Sequence, residues 1–116
     1  MRGRLGVRGY EQGWLGGLRL ISDLIGDIDY FIVYYDLRRR GRRVRQGVRP
    51  RTLIVSRGGA RDYEVLVLSE GTPTSFGYLS EWSRLSVRDG FTPVVAIVDG
   101  YGIVAYYEAR SVSTLV

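Results

Sequence analysis

The chain has no cysteine and no histidine. It also has no lysine and no asparagine, and Met1 is its only methionine. Without cysteine no disulfide can form, so the fold must rest on packing and hydrogen bonds. Without cysteine or histidine a structural zinc site is nearly excluded, and a site of Asp and Glu alone would suit Mg or Ca. Imidazole acid–base chemistry and lysine Schiff-base chemistry are ruled out. No apolar run approaches the ~20 residues of a membrane span. The start, Met1-Arg2-Gly3-Arg4, lacks the apolar core of a signal peptide, so a cytoplasmic location and no membrane partner are expected. Scarcity of thermolabile side chains is compatible with a hot habitat.

What is present is one domain's worth of sequence, 116 residues with 45% hydrophobic and 25% charged side chains, the profile of a globular chain. All 17 basic residues are arginine, and they are unevenly spread. Residues 1–61 hold 14 arginines against 5 acids, a net of +9; residues 62–116 hold 3 against 7, a net of −4. The stretch from Arg38 to Arg61 alone carries ten arginines. Such a patch suits a polyphosphate, because each guanidinium offers a planar pair of donors. A solvated basic face, or pairing with the acidic C-terminal half, is the blander reading.

Residues 1–13 are rich in Gly and Arg and read as an arm. Trp14, Leu18, Ile21, Ile25, Ile28, Ile32 and Tyr35 then follow steps of four and three, one stripe of an amphipathic helix. Gly26 is expected to break this stripe into two helices, with Asp27 capping the second. Arg38, Arg39 and Arg40 fall in its last turn, and Gly41 follows as a terminating glycine. Strands are expected at 42–46, 52–56 and 63–68, with turns at Gly47–Pro50 and Gly58-Gly59. The 63–68 strand is nearly all apolar, which predicts burial on both faces. Thr72-Pro73 reads as the cap and first residue of a helix that runs to about Arg88. Strands at 93–98 and 103–108 flank a tight turn at Asp99–Gly102, the last of them ending near Val112. The order α-α-β-β-β-α-β-β predicts an α/β fold, a mixed sheet of about five strands packed with helices.

Tyr34-Tyr35-Asp36-Leu37-Arg38-Arg39-Arg40-Gly41 resembles the helix end of the archaeal tRNA-splicing endonucleases. Val44-Arg45-Gln46-Gly47 is similar to the strand and turn that follow in that family. Val94–Asp99 and Val104–Glu108 resemble its closing hairpin. The resemblance implies a small nuclease fold acting on precursor tRNA at bulge–helix–bulge introns, leaving a 2′,3′-cyclic phosphate and a 5′-hydroxyl. It implies no cofactor. It divides the chain into a reduced N-terminal arm and helix, residues 1–26, and an endonuclease-like domain, residues 27–116.

The family cuts with Tyr, His and Lys. Ser56 stands at the place of the Tyr, Asp62 at that of the His, and the segment Asp89-Gly90-Phe91 at that of the Lys. An ordinary Asp titrates near ~3.9, too low to donate a proton at neutral pH. Carboxylates beside a scissile phosphate also repel the charge that must be stabilised. The resemblance therefore implies no catalytic residue in this chain, and the role of structural subunit in a heterotetramer of the crenarchaeal type, two of each chain, beside a catalytic partner. A takeover of catalysis by Tyr63 as base and an arginine as stabiliser is the competing reading.

The family's pairing strands imply a subunit interface through Tyr106, Tyr107 and Glu108. Its acidic hairpin loop implies a second contact through Asp99 and Tyr101. RNA contacts are expected at Arg84 and Arg110 by analogy with arginines that stack on a flipped base, and at Arg38, Arg39, Arg42 and Arg43 through phosphates. Two other classes compete: a stand-alone Arg-rich RNA-binding protein, and a metal-dependent nuclease using Asp62, Glu64 and Asp89.

Overall fold

The computed structural model describes the backbone of residues 14–109 and the side chains of residues 25–109. The elements are α1 (Trp14–Arg39), β1 (Arg43–Gln46), β2 (Thr52–Ser56), β3 (Tyr63–Ser69), α2 (Phe76–Arg88), β4 (Thr92–Val98) and β5 (Val104–Glu108). The strands lie in sequence order in one sheet. β3 and β4 are parallel and are joined through α2; the other neighbours are antiparallel. A mixed α/β sheet was the expectation, and this is one.

The two helices cover opposite faces, as the alternation of strand side chains requires. On one face Val33 and Leu37 of α1 pack over Leu53, Val55, Val65, Val94 and Ala96. On the other, Trp82 of α2 packs over Leu66, Val95 and Ala109. β3 is buried along most of its length, as its run of apolar residues predicted.

Three local expectations are corrected. First, Gly26 does not break the helix: α1 is one helix of 26 residues. Gly26 answers instead to a contact far along the chain. A Cβ there would sit 2.6 Å from Nη1 of Arg51, whose Nη2 donates to the Gly26 carbonyl at 2.9 Å. Arg51 itself is held at φ +62°, a conformation uncommon outside glycine.

Second, the four-three stripe is split: Ile32 packs against the sheet-side core, but its neighbours on the stripe turn outward. Ile25, Ile28 and Tyr35 are about half exposed or more, while Val33 and Leu37, off the stripe, are buried. Third, Ser75, not Thr72, caps α2: its Oγ accepts from the Tyr78 N–H at 3.0 Å. Gly41 does end α1. At φ +83° it lets the Arg42 N–H reach the Leu37 carbonyl at 3.1 Å, and its own N–H reaches that of Arg38 at 2.9 Å.

Candidate subunit and nucleic-acid interface

The end of β2, the start of β3 and the start of β4 meet at one end of the sheet. Val55 is in register with Tyr63, and Tyr63 with Thr92. The Thr92 N–H donates to the Asp62 carbonyl at 2.9 Å. Ser56 and Asp62 are thereby brought together with the segment that leads into β4. Arg57 organises this end. Its guanidinium lies 4.1 Å from the Tyr63 ring centroid, donates to the Tyr63 hydroxyl at 3.1 Å and to Thr92 Oγ1 at 3.4 Å. Its Nε donates to the Arg61 carbonyl at 2.6 Å, and its backbone N–H donates to Asp62 Oδ1 at 3.3 Å.

The other acids of this region are tied to arginine. Glu64 points to the α2 face of β3 and is almost fully buried. Arg49 Nη1 donates to both of its carboxylate oxygens, at 3.0 and 3.1 Å, and Arg49 Nη2 donates to Asp89, the cap residue that follows α2. Arg88 adds a bond to Asp89 at 3.0 Å. The Arg49 hydrogen bond, then that of Arg88, holds the Asp89 carboxyl below its ordinary value. Asp89 is therefore an anion at neutral pH and no proton donor. The metal-nuclease grouping of Asp62, Glu64 and Asp89 is corrected by this: a guanidinium stands between Glu64 and Asp89, where a cation would have to sit. No group of three or more His, Cys, Asp or Glu able to hold a metal occurs among the described residues.

At the far side of the sheet β5 is, among the described residues, an edge strand paired with β4. Its alternation separates the two tyrosines. Tyr106 turns to the α1 face, where its hydroxyl donates to Asp36 Oδ2 at 2.7 Å and Arg40 lies 5.6 Å from its ring centroid. Burial and the Asp36 bond push its hydroxyl pKa well up. Tyr106 is thus a support of its own fold. Tyr107 faces the other way and is 56% exposed. Glu108, in register with Val94, is exposed.

The hairpin before β5 is closed by its own acid. Asp99 Oδ1 accepts from the N–H groups of Tyr101 (2.8 Å) and Ile103 (3.0 Å), and Tyr101 stands 92% exposed at the tip. Strand pairing begins at Val104, one residue later than expected, because the Ile103 backbone is engaged in closing this turn.

Residues 28–106 match a family model described as the tRNA intron endonuclease, catalytic C-terminal domain. The chain belongs to this family. The match ties it to the splicing of precursor tRNA. No curated protein matches the chain.

Endonuclease-family membership gives the arginines a setting, and they divide into separate groups. Arg38, Arg39, Arg42, Arg43 and Arg45 are exposed around the end of α1 and along β1, the other edge strand. Arg39 and Arg40 pair with Asp36 at 2.8 and 2.9 Å, and Arg38 lies 5.9 Å from the Tyr34 ring centroid. Arg84 is not part of this surface. It lies on α2, across the sheet, paired with Glu81 at 2.6 Å. Arg110 falls outside the described residues. Sequence reading missed a cleft of about 280 Å³ on the α1 face, with a floor of Val55, Val65 and Val94 and with Arg40, Arg42 and Tyr63 among its lining residues. The period-two placement of Tyr63, Val65 and Val55 was its signal, but the helix end that roofs it was not legible. No helix among the described residues is long and apolar enough to cross a membrane.

Proposed function

We propose that this chain is the structural, non-catalytic subunit of a heterotetrameric tRNA-splicing endonuclease of the crenarchaeal type, two of each chain. In this reading the catalytic partner cuts precursor tRNA at bulge–helix–bulge introns, leaving 2′,3′-cyclic phosphate and 5′-hydroxyl ends, in the cytoplasm. What supports it is the sheet end where, by the resemblance, Ser56, Asp62 and the Asp89–Phe91 segment stand at the places of the family's Tyr, His and Lys. Transesterification needs a base for the 2′-hydroxyl, an acid for the leaving oxygen and positive charge at the phosphate. The carboxylates here are bound to Arg49, Arg57 and Arg88, and each missing acid–base group is worth ~10²–10⁴ in rate.

The position of β5 at the sheet edge among the described residues supports a role in holding the partner, since an edge strand can extend another sheet. Tyr107, Glu108, Asp99 and Tyr101 are the proposed contacts, with the reduced region 1–26 leaving residues 27–116 to carry the interface. Family membership favours this reading over a stand-alone RNA-binding protein. One observation favours a second reading. The Arg57 guanidinium on the Tyr63 hydroxyl juxtaposes a phenol and a fixed positive charge at the same sheet end. The test is cleavage of a bulge–helix–bulge substrate by the purified chain alone, then with its partner. Activity only with the partner supports the structural role. Cleavage by the chain alone, lost in Tyr63→Phe, establishes the second reading.

A further inference from the structure

The start of β2 leaves the end of β3 uncovered. Thr52, the first residue of β2, is in register with Leu66, whereas β3 continues to Ser69. The Arg51 side chain runs along this overhang, its Nε donating to the Val67 carbonyl at 3.4 Å. Two concessions of the backbone put it there. Arg51 sits at φ +62°, and α1 carries glycine at 26, where a side chain would collide with the guanidinium. What the guanidinium meets in return is slight: the Val67 and Gly26 carbonyls, and no carboxylate among the described residues. It borders a cleft of about 520 Å³ between α1, the end of β3 and the loop that enters α2.

We propose that this cleft binds a nucleotide, its phosphate on Arg51 and its base against Tyr78. Thr72 and Thr74 bring exposed hydroxyls to the walls. The Val67 N–H donates to the Arg51 carbonyl, and by strand alternation the Ser69 N–H points to the same side, toward the overhang. A guanidinium fork, hydroxyls and a main-chain donor together match the oxygens of a phosphate. No described Asp or Glu lines the cleft; Asp29, which accepts from the Ser69 hydroxyl, is buried. Ile25 and Tyr78, each about half exposed, add an apolar and an aromatic surface on which a planar base can stack. The 520 Å³ of the cleft falls within the range of small-molecule sites, roughly 300–1,000 Å³, and exceeds what a bare phosphate would fill.

The cleft lies at the opposite end of β2 from Ser56 and shares no residue with the proposed subunit contacts, so its occupancy is independent of the splicing role. Titration calorimetry of the full chain with AMP, inorganic phosphate and adenosine tests it. AMP should bind one to one, phosphate should compete with it, and adenosine should bind about tenfold more weakly or worse. Arg51→Gln should weaken AMP about tenfold or more by removing the charge-assisted bonds. Thr74→Glu, at an exposed loop position, should weaken it similarly by repulsion, and decides the matter should Arg51→Gln fail to fold. An oligouridylate without a terminal phosphate identifies the source. Displacement of AMP by it marks an internal RNA phosphate as the occupant; failure to displace AMP leaves the free nucleotide. Absence of AMP binding, or adenosine binding as tightly as AMP, would overturn the proposal. So would AMP binding that survives both cleft variants but weakens in Arg42→Ala.

Discussion

Arginines from one dense stretch of sequence have opposite fates. Arg38 to Arg45 lie outside, around the end of α1 and along an edge strand. Arg49, Arg51 and Arg57 turn inward, onto Glu64 and Asp89, onto the Gly26 carbonyl, and onto Tyr63. Charge density along a chain therefore overstates the surface available to a phosphate backbone. In the outer group Arg39 and Arg40 reach back to Asp36 at the surface, whereas the inner group is tied into the fold's interior.

The sharpest way to break this contrast is at Arg49. Arg49→Met leaves Glu64 buried without a counter-ion, and loss of one partner of a buried pair costs about 3–5 kcal/mol. A large drop in the denaturant midpoint is expected, with partial recovery when Glu64→Gln is added. A melt within a degree or two of wild type would refute the inner role.

Next in size is Tyr106→Phe, which removes a hydrogen bond to an ionised acceptor and should cost about 1.5–3 kcal/mol. Burial would raise the Asp36 carboxyl, but the bonds from Tyr106, Arg39 and Arg40 outweigh it and hold it below its ordinary value. Its contribution is therefore complete above pH ~4 and lost as the pH falls further. The Tyr106 hydroxyl is shifted upward, so its contribution holds below pH ~10 and fades above it. Stability of the phenylalanine variant should fall less steeply than wild type in both directions, as read from chemical denaturation across pH.

Gly26→Ala sets a helix-propensity gain of up to ~1 kcal/mol against a displaced Arg51 guanidinium. The charge-assisted bond of that guanidinium, worth about 1.5–3 kcal/mol, outweighs the gain, so a net loss of about 1 kcal/mol is expected in thermal unfolding. The smallest effect on the fold belongs to the outer group. Arg42→Ala and Arg43→Ala should each stay within ~0.5 kcal/mol of wild type. In the assembled enzyme each should lower precursor-tRNA affinity and reduce the salt slope by about one. An unchanged slope would remove this surface from the RNA path.

These contrasts also mark what could be read from the chain. β2 and the strand-by-strand order were legible because turn residues and apolar runs act locally. That Ser56 ends β2, Asp62 precedes β3 and Asp89–Phe91 precede β4 was legible through the motifs around them. Gly26 was misread because glycine in a helix looks like punctuation, while its cause, Arg51, lies 25 residues away. The stripe through Ile25, Ile28, Ile32 and Tyr35 was found, but only Ile32 of these four packs on the core: periodicity gives a face and not what lies against it. Glu64 was hidden in an apolar run, since nothing local announces that Arg49 will reach it. The division of Tyr106 from Tyr107 needed only the strand's alternation, but which of the two turned inward depended on the register with β4.

The hairpin tip carries a last consequence. Because the Asp99 carboxylate already holds the N–H groups of Tyr101 and Ile103, the loop keeps its shape before anything meets it. A rigid tip sacrifices little conformational freedom on association, so a modest contact area there can still yield a lasting grip. Asp99→Asn, which retains an acceptor oxygen, separates that preorganisation from the negative charge.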